Sequence, residues 1–175
     1  MKAVILSLSI LISSCNCMKD SNENSDLKEA KTILTSNCPE DGVCRLEIYK
    51  NKTIQLKKDG IGKLYYNLID SESKSVVYFE YSRNVPKDLQ DASYREEIVF
   101  EIDNNSTSQN LSNTDLKNVK MLFGKHCFCR SEAGYYNVNN GNLNYNYINN
   151  ELKFNLTFKI PEVSSQVITS ISSEN

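Results

Sequence analysis

The sequence predicts an all-β domain, an antiparallel β-sandwich or a barrel-like closure, behind a secretory leader and a polar tether. Three observations point there. Beyond Cys38 apolar residues recur at every second position, the period of a strand with two unlike faces. Turn-forming Asn, Asp and Gly interrupt these runs at intervals of about ten residues, the rhythm of sandwiches and barrels. Near the C-terminus, Leu143, Tyr145 and Tyr147 alternate with asparagines, and Leu152, Phe154, Leu156, Phe158 and Ile160 alternate with Lys153, Asn155, Thr157 and Lys159.

Taken in chain order, Leu46 and Ile48 form one alternating pair, and Ile54 and Leu56 another, with a turn at Asn51. Leu64, Tyr66 and Leu68 alternate after the turn at Asp59-Gly60. Val76 to Tyr81 is a denser apolar run, and Ile98, Phe100 and Ile102 alternate with Glu97 and Glu101. Residues 103–118 are polar and read as a surface loop longer than most. Tyr135 to Val138 leads through Asn139-Asn140-Gly141 into the 143–147 strand, so three consecutive antiparallel strands are expected here. Asn149-Asn150 supplies the second turn, since asparagine tolerates the positive φ of tight hairpins. One apolar and one amide-lined face suit an antiparallel sheet with a wet side. Pro161 ends the last long strand, and the tail beyond it fits a helical stripe or a strand equally.

The first 14 residues read as a signal peptide. Lys2 is a minimal positive start, and Ala3 to Ile12 is an apolar run broken only by Ser7 and Ser9, too short for a permanent span. Ile12-Ser13-Ser14-Cys15 resembles a bacterial lipobox: an aliphatic residue, two small residues and the cysteine that becomes the new N-terminus. The resemblance implies a diacylglycerol on Cys15, cleavage before it, and acylation of the new amine. Two or more acyl chains anchor stably, so the membrane is the first expected partner and the cell envelope or outer membrane the expected location, on its periplasmic face or at the cell surface. Residues 15–37 form the lipidated tether, in which Leu27, Ala30, Ile33 and Leu34 have helical spacing, and residues 38–175 form the β domain. Lys19-Asp20 after the lipid cysteine resembles the surface-export signals of Bacteroidota-type lipoproteins, and also reads as a solvated spacer.

With 20 basic and 22 acidic residues and no dense basic run, the chain offers no nucleic-acid surface. Four cysteines lie in the β domain: Cys38, Cys44, Cys127 and Cys129. Export favours disulfides. If residues 127–129 are extended, Cys127 and Cys129 share a face, and the simplest scheme joins each to one of Cys38 and Cys44. Such crosslinks would close loops of some 80–90 residues and contribute several kcal/mol. The competing reading is a metal site completed by His126, but neither C-x5-C nor C-x-C has thiolate-zinc spacing. Cys17 is left over as a thiol in the tether.

His126 is the only histidine, so any His-dependent triad must use it. No phosphate loop or H-E-x-x-H is present, and no cofactor is expected. Glu96-Glu97, adjacent on a strand, should face opposite sides and read as solvated. The amide row Asn142, Asn144 and Asn146, with Asn155 and Thr157 opposite, can donate and accept hydrogen bonds to a glycan or a protein ligand. Tyr135 and Tyr136 cannot both point inward, so one offers a stacking ring. The expected role is non-enzymatic binding or envelope structure. The alternative is a hydrolase using carboxylate acid–base chemistry.

Overall fold

The computed structural model describes residues 38–86, 88–89, 91–105, 108–129 and 131–173. The signal peptide, Cys15, Cys17 and the tether with its helical stripe lie outside the described residues.

Strands run antiparallel in three sheets. In chain order they are β1 (Gly42–Tyr49), β2 (Lys52–Lys58), β3 (Leu64–Asp70), β4 (Lys74–Arg83), β5 (Tyr94–Asp103) and β6 (Ser108–Ser112). After a 3-10 helix at Asn113–Val119 come β7 (Leu122–Cys127), β8 (Gly134–Asn137), β9 (Gly141–Ile148), β10 (Glu151–Phe158) and β11 (Ser170–Ser173). The order β1-β4-β5-β7-β8 makes a five-stranded sheet, β11-β10-β9-β6 a four-stranded one, and β2-β3 a separate hairpin. The architecture is a sandwich, not a closed barrel.

The two larger sheets bury their facing sides together. Val77, Phe79, Ile98, Phe100 and Phe123 from one meet Leu143, Tyr145, Phe154, Leu156 and Phe158 from the other. Ring pairs interlock across the layer: Phe100 lies 5.6 Å from Phe154 and Phe123 lies 5.9 Å from Phe158, both tilted rather than stacked flat. The β2-β3 hairpin makes a third, partial layer on the outer side of the five-stranded sheet, where Ile54 packs with Val76, Val99 and Leu122. Glu101 fastens it there. Its buried carboxylate accepts from Thr53 Oγ1, from the Ile54 N–H at 2.6 Å and from Lys120 Nζ at 2.9 Å. Lys120 also donates to the Ile54 carbonyl at 2.8 Å.

The β9-β10 hairpin follows the sequence pattern residue for residue, with strict alternation of buried and exposed positions on both strands. Asn149 and Asn150 take φ values of 53° and 66°, as its tight turn requires. Gly141 starts β9 because a Cβ there would meet the Thr157 carbonyl oxygen at 2.3 Å.

Three expectations need correction, and one left open is resolved. Tyr135 to Val138 does not pair with β9: β8 pairs with β7 in the other sheet, and the chain crosses the sandwich at Val138–Asn140. Residues 103–118 are not one loop, because Leu111 and Leu116 give β6 and the 3-10 helix a side to turn toward the core. The undecided tail is an irregular run closed by β11, which pairs with β10. Finally, no crosslink spans the domain: Cys38 pairs with Cys44 and Cys127 with Cys129, at Cα separations of 5.7 and 5.2 Å. Extended geometry ends at Cys127 and the chain bends at Phe128, which brings the two sulfurs together.

Candidate functional site

Buried carboxylates mark where the fold departs from plain packing. Glu96, Glu97 and Glu101 are all buried, contrary to the solvated reading of Glu96-Glu97, although that pair does face opposite sides. Burying an ionised group is costly unless it is paired, so each needs a reason. Glu101 has one in the hairpin. Glu96 has one on the inner side, where it accepts from the Val167 and Ile168 N–H groups at 2.9 and 2.7 Å and from the Tyr94 hydroxyl. Close by, the buried Lys125 side chain reaches Glu132 and Ser165 Oγ, each at 2.5 Å. Glu132 also accepts from the Ser164 N–H at 2.9 Å. Hydrogen bonds from Lys125 and Ser164 lower the Glu132 carboxyl pKa to about 2. Committed to that ion pair, Lys125 ties the 164–168 segment to the sheet rather than serving Ser165 as a base.

Glu97 ties no backbone segment to the sheet. It sits on the outer side at the centre of a cross-strand row, Arg45, Glu80, Glu97, Gly124 and Tyr135. Its Oε2 lies 3.2 Å from His126 Nε2, 3.4 Å from the Tyr78 hydroxyl and 3.6 Å from Arg95 Nη2. Close as it is, the His126 nitrogen lacks the alignment of a hydrogen bond, and Glu97 Oε1 has no hydrogen-bond partner among the described residues. Burial pushes the Glu97 carboxyl pKa up, but the polar and cationic groups gathered about it, His126, Tyr135 and Arg95, outweigh it. The group is held below the ordinary carboxylate range. Burial, then the Glu97 carboxylate, drive the Tyr135 hydroxyl pKa well upward, so the phenol stays protonated.

Gly124 makes the arrangement possible. A Cβ there would meet Glu97 Cγ and Tyr135 Cε1 at 2.7 Å each, so the bare strand lets both side chains close over it. The Tyr135 ring is set edge-on between the His126 ring and the Tyr66 ring of the hairpin, both with centroids 5.4 Å away. His126 and Tyr135 form one wall of a cleft of about 590 Å³, with Lys125, Cys127, Ala133 and Gly134 beside them. Asp59, Lys63, Leu64 and Tyr65 from the hairpin form the other wall.

The predicted ligand-contacting residues are therefore divided among three places. Tyr135 lines the cleft. Tyr136 points the opposite way into the sandwich, against Phe123, with its hydroxyl donating to the Glu132 carbonyl at 2.9 Å. Asn142, Asn144 and Asn146 are exposed on the far side, on the outer face of the four-stranded sheet. There the register extends the amide row on both flanks: Asn110, Asn144, Asn155 and Ser172 lie abreast, as do Ser112, Asn142, Thr157 and Ser170. The tyrosines and the amide row do not form one site. Among the described residues no group of three or more His, Cys, Asp or Glu side chains could hold a metal ion. Sequence reasoning missed Glu97 as a site residue and missed the hairpin wall, Asp59 to Tyr65.

Fold and cleft together define a class: an antiparallel β-sandwich with two local disulfides and a docked hairpin that walls a polar, tyrosine-lined cleft. Comparison with known proteins adds no family to this description, since no family model, curated protein or solved structure matches the chain.

Proposed function

We propose that this is a lipid-anchored binding protein of the bacterial envelope, held by Cys15, whose ligand enters the cleft between the β2-β3 and β7-β8 hairpins. One observation carries the reading. Glu97 is the buried carboxylate that fastens no backbone segment, and the side chains beside it, His126 and Tyr135, line the cleft. A buried charge in contact with the lining of a concave surface is the physical mark of a candidate site. Tyr135 offers a ring face, while His126, Asp59 and Lys63 offer donors and acceptors, a set suited to a glycan or a peptide segment.

The hydrolase reading has less support. A general acid needs a carboxyl pKa raised toward neutrality. Asp41, Glu47, Glu97 and Glu132 are all displaced the other way, each by hydrogen bonds or cationic partners. A second binding surface remains open on the amide rows, favoured by their uncharged lateral alignment across four strands.

Two experiments test the proposal. Fractionation of cells carrying wild type or Cys15→Ala tests the anchor, and a variant still wholly in the membrane fraction overturns it. A thermal-shift screen of the full chain against glycans and peptides, repeated with Tyr135→Ala and with Asn144→Ala/Asn146→Ala, tests the cleft. A hit lost in Tyr135→Ala alone places the ligand there. A hit lost only in the asparagine variant moves it to the amide face.

A further inference from the structure

Two side chains stand apart for their exposure. Phe128 is 83% exposed and Ile61 80%, whereas the next large hydrophobic among the described residues, Val43, reaches 61%. Scattered surface apolar residues need no explanation, but these two are related. Ile61 tips the β2-β3 connection between Asp59 and Lys63 of one cleft wall, and Phe128 follows Cys127 of the other, so the segments that carry both border the same cleft.

The Ile61 tip is built to hold that side chain out. Asp59 Oδ1 accepts from the Ile61 and Lys63 N–H groups at 2.9 and 2.8 Å, the Asp59 N–H donates to the Lys63 carbonyl at 2.9 Å, and Gly62 takes φ 82°. With Asp59 engaged by backbone, Lys58 and Lys63 stand exposed, and neither enters an ion pair with a carboxylate among the described residues. Tyr65, 37% exposed, lies just inside them. An apolar tip ringed by unpaired cations with a tyrosine behind it has the layering of a membrane interface: acyl region, phosphates, head-group level.

We propose that this rim docks on an anionic bilayer, Ile61 and Phe128 entering the interfacial layer while Lys58 and Lys63 meet lipid phosphates. The inference rests on the anchored reading in one respect: the acyl chains on Cys15 bring a bilayer within reach. It also gives the cleft a direction, with its mouth toward the head groups.

The chain contains no tryptophan, so Ile61→Trp and Phe128→Trp each install a sole indole reporter in the full lipidated chain. Vesicles of phosphatidylglycerol and phosphatidylcholine in equal parts, carrying brominated acyl chains, should shift both emissions to the blue and quench them. Asn144→Trp, on the opposite outer face, should remain quenched by aqueous acrylamide instead. Adding Lys58→Glu and Lys63→Glu to Ile61→Trp, or using phosphatidylcholine alone, should abolish the blue shift. Chain that floats with the vesicles while the indoles of both rim variants report only water overturns the docking and leaves the anchor standing. Failure of the anchor is read separately, as chain that does not float. In that case excess anionic vesicles added to the chain still decide the docking by the same quenching.

Discussion

Glu96 and Glu97 are consecutive residues of β5, yet their carboxylates lie on opposite sides of the five-stranded sheet: one caps the Val167 and Ile168 N–H groups, the other stands 3.2 Å from His126 behind the cleft. The chemical group is the same and the consequences of losing it are not.

Glu96→Gln removes a charged acceptor from two backbone donors that have no other outlet, a loss of about 3 kcal/mol. Glu97→Gln fastens nothing less firmly and should cost about 1 kcal/mol. Denaturant unfolding of both variants checks the order. NMR should show the His126 and Tyr135 resonances moved only by Glu97→Gln.

Glu101→Ala should release the hairpin without unfolding the sandwich. Thr53, the Ile54 N–H and Lys120 lose their shared acceptor, at a cost of about 3 kcal/mol for breaking a largely buried pair from one side. Hydrogen exchange should accelerate through Lys52–Asp70 while β9 and β10 stay protected. Uniform acceleration would mean that the hairpin is integral to the core.

Acid should loosen the 164–168 segment. The Glu132 carboxyl is held at about 2 against an ordinary 4.5, first by its hydrogen bond from Lys125. A depressed carboxylate pKa contributes stability above the unfolded value, lost as pH falls through the folded one. Tm should therefore drop between about pH 4.5 and about pH 2, with Glu97 adding to the slope in the same direction. Glu132→Gln should flatten the drop while lowering Tm at neutral pH.

Both disulfides close short loops, with sequence separations of six and two. Loop-closure entropy assigns the larger about 2 kcal/mol, less than half of what a crosslink over some 80–90 residues would give. Peptide mapping without reductant should find Cys38 joined to Cys44 and Cys127 to Cys129. Cys38→Ser/Cys44→Ser should fold, with a modestly lowered Tm.

Much of the sandwich is legible in the sequence. The 141–160 hairpin can be read in full because one face is buried and one wet, so alternation reports burial directly. Ile98-Val99-Phe100 carries a further message: an unbroken apolar run signals a strand covered on both sides, and under that condition Glu96 and Glu97 cannot both be solvated. What covers the outer side is the 52–70 hairpin, and its docking depends on Glu101, Thr53 and Lys120, residues remote from one another in sequence. The same limit hides the cleft, whose walls come from segments about sixty residues apart. The disulfide pairing escapes the pattern because alternation, carried one residue too far, runs past the bend at Phe128.

The pairing of neighbours has a consequence for how the molecule is made. A chain made N-terminus first presents Cys38 and Cys44 together, long before Cys127 and Cys129 emerge. Within the β domain each cysteine's partner is the next one along the chain, so the Cys38–Cys44 bond can close before Cys127 and Cys129 exist as competitors, and the tether thiol Cys17 is the rival that precedes it.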